Sequence, residues 1–238
     1  MKNLPNSSPF EGDDGSADAH LRDLLRAYSQ AEISLVSVVS YLATCRVLVP
    51  VLSPTVEKDV QMSHKVVSNG IGILQAPDGR SVLPVFTSLD ALKSWHPQAR
   101  PVPNVMQKVA LAAVSEYWPL IVLDPSGPVP IELPRPAVWA IAKGQKWIPA
   151  IEAGKVNSDL LEELEKLVDL VSELSEVQIH KGKRSEIAVW LFFERGMTKS
   201  QLELALWRIK EFIAHSSIVG ELVDSLELCL KTAITDKN

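Results

Sequence analysis

Two apolar runs, Gly70-Ile-Gly-Ile-Leu74 and Val82-Leu-Pro-Val-Phe86, stand on either side of Pro77-Asp-Gly-Arg80. This is the stretch that most narrows the fold. Proline presets φ at the corner of a turn and glycine accepts φ > 0 at little cost, so the two runs pair as a β-hairpin. Thr87-Ser-Leu-Asp90 follows at once with the pattern of a capping box, and predicts a short helix over Leu89–Trp95. A hairpin that runs directly into a helix needs a sheet with helices laid on it to bury both apolar faces.

The rest of the chain extends that arrangement. Leu21, Leu24, Leu25 and Tyr28 recur at the spacing of one helix face, and Ile33–Leu42 reads as a second helix behind it. Val47–Leu52 reads as a strand, placed at an edge or beside a bulge because Pro50 lacks a ladder donor. Asn104 and Gln107 repeat the capping pattern before a helix that buries Val105, Val109, Ala112 and Ala113. Leu120–Leu123 is a core strand closed by the turn Asp124-Pro-Ser-Gly-Pro128, and a helix over about Pro136–Lys143 ends at Gly144. Residues 145–157 read as a linker from which Trp147 and Ile148 pack back onto the first unit. Beyond it, Ser158 caps a helix striped by Leu160, Leu164, Leu167, Val168 and Val171. A hairpin of Val177–Lys181 and Glu186–Phe193 follows, then a helix capped by Thr198 or Ser200 and a strand over Val223–Leu230. The expected class is therefore α+β: an N-terminal mixed sheet with flanking helices, then a smaller α-β-β-α-β unit resembling part of a ferredoxin-like fold. The expected divisions are a disordered leader over 1–17, a first domain over 18–154 and a second over 155–238.

Charge supports the division. The chain of 238 residues has a net charge of −5, distributed as −2 in the leader, +1 over 18–154 and −4 over 155–238. That balance argues against nucleic-acid binding, which needs a basic footprint. No apolar run is long enough to span a membrane. The first fifteen residues lack the basic start and apolar core of a signal peptide. Cys45 and Cys229, distant in sequence and each among apolar residues, are expected as inert core thiols in a reducing cytoplasm.

Several pieces in order carry a family resemblance: Pro77-Asp-Gly-Arg80, Leu83-Pro-Val-Phe-Thr-Ser-Leu-Asp-Ala-Leu92, Trp95, Pro97 and Arg100-Pro-Val-Pro103. Leu123-Asp-Pro-Ser-Gly-Pro128 follows, with Ala137, Ala142, Gly144, Trp147 and Pro149 after it. Over residues 19–149 the chain resembles the SseB N-terminal domain. Ser185–Val189 through Val223–Leu228 resembles the tail of two-domain bacterial members. The segment Val56–Val67 departs from the family pattern in its irregularity. The resemblance implies an α+β first domain in a cytoplasmic bacterial protein. The family is named for an effect on serine sensitivity, which records a phenotype and implies no reaction; it is distinct from the like-named secretion translocon component.

Chemistry is sparse. The five histidines never approach one another or a cysteine at metal-ligand spacing, so no metal site is expected. Neither GxxxxGK[ST] nor GxGxxG nor GxSxG occurs, and no cofactor or catalytic residue is expected. Asn69-Gly-Ile-Gly72 reads as a strand whose glycines mark a bulge. The candidate binding face consists of Thr87 and Ser88 at a helix start, Asp124, Ser126 and Gly127 on a turn after a strand, and Trp95 and Trp147 near prolines. Trp190, in an apolar run, is expected to be covered on both sides of its strand, by a helix or a second chain. Two readings follow. One is a noncatalytic interaction or regulatory protein with a protein partner or a second copy, using the tryptophans as anchors. The other is a binder of a small carboxylate or amino acid, gripped at the Thr87–Ser88 helix start and facing the Asp124–Gly127 turn.

Overall fold

The computed structural model describes residues 10–52, 65–68, 70–76 and 79–233, with the backbone alone for 65–68. The chain divides into two compact units, Met1–Trp147 and Ile148–Asn238. Pro77 and Asp78 of the predicted turn, the first nine residues and most of Val56–Val67 lie outside the described residues.

The first unit opens with helices α1 (Ala19–Ser29) and α2 (Leu35–Leu42). Next come strands β1 (Arg46–Val51), β2 (Lys65–Ser68), β3 (Ile71–Gln75) and β4 (Ser81–Val85), helix α3 (Leu89–Trp95), strand β5 (Arg100–Val105) and helix α4 (Met106–Ser115). Strands β6 (Leu120–Leu123) and β7 (Ile131–Leu133) and helix α5 (Arg135–Lys143) complete it. The strands form one sheet in the order β5-β1-β3-β4-β6-β7, with β2 added to β3. The predicted hairpin is β3–β4, with Leu74 opposite Val82 and Gln75 opposite Ser81. β4 and β6 run parallel; the remaining pairs are antiparallel. One core joins α1, α2, α4 and α5 to the sheet through Leu21, Val39, Val47, Val85, Met106 and Ile121. A smaller one joins α3 to the sheet through Leu48, Phe86, Leu92 and Trp95.

Several expectations change here. β1 is no edge strand, since β5 pairs along its whole length. Its even-numbered amides face away from β5: Leu48 N–H donates to Phe86 and Leu52 N–H to Gly70. Pro50 falls between those two bonds, where no donor is needed. Asn104 caps nothing and belongs to β5, and α4 starts after Val105 without a side-chain cap. Pro101 and Pro103 disguise β5 as loop, yet as the outermost strand it tolerates them. Gly72 marks a close approach instead of a bulge: a Cβ there would stand 3.0 Å from the Leu52 side chain and 3.2 Å from the Trp95 ring. Residues 10–17 are not a loose leader. Arg46 pairs with Asp13 at 2.8 Å and donates to the Ser16 carbonyl, while Gly15 accepts from Leu89 N–H at 2.7 Å.

The second unit begins with a short hairpin, β8 (Ile151–Glu152) and β9 (Lys155–Val156), where the sequence reads a linker. Then follow α6 (Ser158–Leu170), β10 (Leu174–Lys181), β11 (Ile187–Phe193), α7 (Lys199–His215), α8 (Ser217–Leu222) and β12 (Leu226–Thr232). Trp147 belongs to the first core, whereas Ile148 is exposed. The cap of α6 is Asn157, whose Oδ1 accepts from Asp159 and Leu160 N–H; α7 starts with a capping box of Thr198 and Gln201. The sheet order is β10-β11-β12, with β12 parallel to β11 after the α7–α8 crossover. Among the described residues no strand precedes α6 in this sheet, so they do not supply the opening strand of a ferredoxin-like unit. Val189, Leu191 and Phe193 enter the core. Trp190, on the opposite face, packs with its neighbours in the sheet: the His180 ring lies 4.1 Å away between centroids and Lys231 Nζ stands 4.3 Å over the ring. Among the described residues, no helix is long and apolar enough to cross a membrane.

α4 ends in a Schellman motif. Trp118 N–H reaches the Ala113 carbonyl at 2.8 Å and Tyr117 N–H the Val114 carbonyl at 3.3 Å. Tyr117 thus occupies the left-handed position at φ 58°, where glycine is the usual residue. Its side chain is 90% exposed, so no packing offsets the strain. Tyr117→Gly is therefore expected to raise stability by about 1 kcal/mol, seen as a higher urea midpoint with an unchanged slope.

Candidate functional site

β4 and β6 are parallel neighbours, so the segments that leave their carboxyl ends emerge side by side. One is Thr87-Ser88, the other Asp124-Pro-Ser-Gly127. Two hydrogen bonds join them: Thr87 N–H donates to Asp124 Oδ1 at 2.9 Å, and Thr87 Oγ1 donates to Oδ2 at 2.7 Å. Both residues are buried. The Thr87 carbonyl accepts from Arg46 Nη1 at 2.7 Å, so every polar group of this threonine is engaged. Asp124 N–H bonds the Val85 carbonyl and the Asp124 carbonyl accepts from Gly127 N–H, closing the turn. Asp124 sits at φ 47°, a strained conformation of the kind that clusters at functional sites. A Cβ on Gly127 would stand 3.0 Å from Asp124 Cβ and 3.1 Å from its carbonyl oxygen, so a side chain there would crowd the turn.

These turns form one wall of a cavity of about 690 Å³. The opposite wall is α1, which contributes Arg22, Leu25, Arg26 and Ser29; Ser16 and Ala17 lie between. Arg22 and Arg26 are four residues apart, hence on one face of the helix. Neither guanidinium has a hydrogen bond or ion pair among the described residues. Asp90 and Ser94 of α3 complete the polar lining.

Five of the seven residues expected at a binding face therefore come together: Thr87, Ser88, Asp124, Ser126 and Gly127. Trp95 and Trp147 do not join them. They are 7% and 6% exposed, Trp95 against Phe86 and Trp147 in the larger core. The grip also moves. Ser88 Oγ accepts from Ala91 N–H, and Leu89 N–H is bound to Gly15, so the start of α3 is mostly satisfied. Positive charge comes instead from Arg22 and Arg26. Their spacing put them on one side of a predicted helix, but nothing local showed what that side faces.

Burial pushes the Asp124 carboxyl above its ordinary value, and the two Thr87 donors pull it partly back. In the larger core, burial pushes the Cys45 thiol up to about 11, leaving no thiolate at neutral pH. Cys229 is half-buried on the outer face of the second sheet, opposite Trp190, and is not a core thiol.

Comparison with known families matches residues 21–140 to the SseB protein N-terminal domain. The chain belongs to the SseB family. The match covers both turns and α1 from its third residue; of the cavity lining only Ser16 and Ala17 lie before it. No curated protein matches the chain, and neither does any solved structure.

The Thr87–Asp124 pair gives a direct test. Asp124→Ala leaves the Thr87 amide buried without an acceptor and is expected to cost about 2–3 kcal/mol. Asp124→Asn retains an acceptor without the buried charge and is expected to cost less than about 1 kcal/mol at neutral pH. The raised folded-state value means that the native state holds the proton more tightly than the unfolded chain. Wild-type stability relative to Asp124→Asn should therefore fall as pH rises from the ordinary value of 3.8 through the folded-state value, and level off above it. Urea titrations of both proteins across that range measure the difference.

Proposed function

We propose that this SseB-family chain binds a small carboxylate-bearing metabolite, an amino acid foremost, in the cavity between α1 and the two turns. The observation that carries the reading is the pair of guanidinium groups, Arg22 and Arg26, which have no hydrogen bond or ion pair among the described residues and line the same cavity as Ser88, Asp90, Asp124 and Ser126. A guanidinium offers two parallel N–H donors matched to a carboxylate, and a second one four residues away doubles the field. Asp90 supplies an acceptor for an ammonium group, and the Ser88 and Ser94 hydroxyls supply adaptable polar contacts. The cavity volume falls in the range of small-molecule sites. The role is noncatalytic binding: Thr87 and Asp124 shape the wall and no side chain is assigned a bond-making step.

The broader interaction or regulatory reading loses the two residues it rested on, because Trp95 and Trp147 are core residues. It passes to other surfaces.

Thermal unfolding against a panel of amino acids, dicarboxylates and inorganic phosphate tests the proposal. A ligand at about one hundred times its Kd adds roughly 2.7 kcal/mol, a shift of several degrees in a unit this size. A saturable shift is expected with an amino acid and is expected to disappear in Arg22→Ala/Arg26→Ala. Replacing those exposed side chains should change intrinsic stability by less than about 0.5 kcal/mol. A shift that survives the double substitution, or none across the panel, refutes the reading.

A further inference from the structure

β12 stands at the end of the second sheet, with β11 on one side and an open edge on the other. Its parallel ladder decides which backbone groups face that edge. Ile187 N–H donates to the Ser225 carbonyl and Ala233 N–H to the Phe193 carbonyl, so the odd-numbered residues of β12 bond β11. The N–H and C=O groups of Leu226, Leu228, Leu230 and Thr232 therefore point away from β11, where no strand stands among the described residues.

Other end strands carry devices that block further pairing. β5 contains Pro101 and Pro103, β7 is three residues long between Pro130 and Pro134, and β10 has a register shift between Leu174 and Glu176. β12 has seven residues, no proline or glycine, and unbroken register with β11. Leu226 and Leu228 pack on the core, whereas Leu230 on the same face is 46% exposed. Glu227, Cys229 and Lys231 share the other face with Trp190.

We propose that β12 pairs antiparallel with β12 of a second copy, about a two-fold axis at Cys229. The strand overlaps its own copy over its full length only with the axis there. Leu228 then opposes Leu230 of the second copy, and Leu226 opposes Thr232. These are the residues whose backbone groups face outward, so each pair exchanges both of its hydrogen bonds. The same register sets Glu227 opposite Lys231, whereas an axis at Glu227 or at Lys231 would oppose like charges. Glu227 Oε1 already accepts from the Lys183 and Arg184 amides and Lys231 rests over the Trp190 ring, so the charges select the register and the backbone ladder binds. The two-fold also closes the assembly. It covers both β12 edges and leaves outermost only the two irregular β10 strands. The pairing involves the second unit alone and is independent of the cavity beside α1.

Cys229 makes the register testable. In a non-hydrogen-bonded antiparallel pair the Cα atoms stand about 4.5 Å apart, inside the roughly 4.4–6.8 Å span of a disulfide. The other cysteine, Cys45, is buried. Sedimentation of the full chain is expected to show a monomer–dimer equilibrium with Kd below about 0.5 mM. Leu230→Pro removes an N–H that β11 does not use and is tolerated on an edge strand, so it should keep the circular dichroism spectrum and weaken the dimer about tenfold or more. Lys231→Glu, at an exposed side chain, should weaken it about fivefold or more. Diamide should link Cys229 to Cys229 in the wild type, about tenfold or more slowly in Leu230→Pro, and not in Cys229→Ser. A chain that stays monomeric at about 0.5 mM overturns the proposal. So does a dimer that ignores Leu230→Pro, or one that diamide does not trap through Cys229. Slow hydrogen exchange at the Leu228 and Leu230 amides of a monomer overturns it too, for then another part of the same chain covers the edge.

Discussion

The first unit depends on a buried threonine and a buried aspartate that complete each other. Thr87 and Asp124 end the parallel strands β4 and β6, and the two hydrogen bonds between them lock those ends together. A carboxylate removed from water at this site would be costly alone; two donors from one residue make it tolerable. The lock extends outward through Arg46, which ties the Thr87 carbonyl to Asp13 and Ser16. The segment before α1 is thereby fixed, and with it the rim of the cavity.

That lock separates structural from available polarity. Thr87, the most conspicuous hydroxyl in the motif, is spent on the fold, and so is most of the start of α3. What remains for a ligand is supplied from across the cavity by α1. A helix held through Leu21 and Leu25 in the core leaves Arg22 and Arg26 on the adjoining face, without a partner among the described residues and lining the cavity. The same economy appears on α4, where burying Trp118 forces the preceding Tyr117 into a strained conformation and out into solvent.

Much of the fold was legible in local pattern. The β3–β4 hairpin, α1, α5 ending before Gly144, and α6 all follow from periodicity and turn or cap chemistry that act within a few residues. The misses share a cause. β5 was hidden by Pro101 and Pro103, which weaken strand propensity but are harmless on an outer strand. The burial of Trp95 depends on Gly72 leaving room beneath its ring, a contact between residues distant in sequence. Trp190 lies on a face of β11 that its apolar run does not distinguish from the core face, whereas the alternation of β12 did carry a signal for Cys229, which stands between Glu227 and Lys231 on the polar face.

The sequence alone determined the α+β class, the order of most elements and the family, because propensity, turn geometry and apolar spacing are local and the SseB motifs occur in order along the chain. It also identified the two polar turns as the place to look. Only the tertiary structure decided that these turns meet, that their hydroxyl and carboxylate satisfy each other, and that two arginines from α1 complete the cavity. It decided as well that Trp95 and Trp147 are core while Tyr117 and Trp139 are surface. The physical reason is common to all of these: burial and hydrogen-bond satisfaction depend on which distant segments pack together, and residue type and spacing do not specify that.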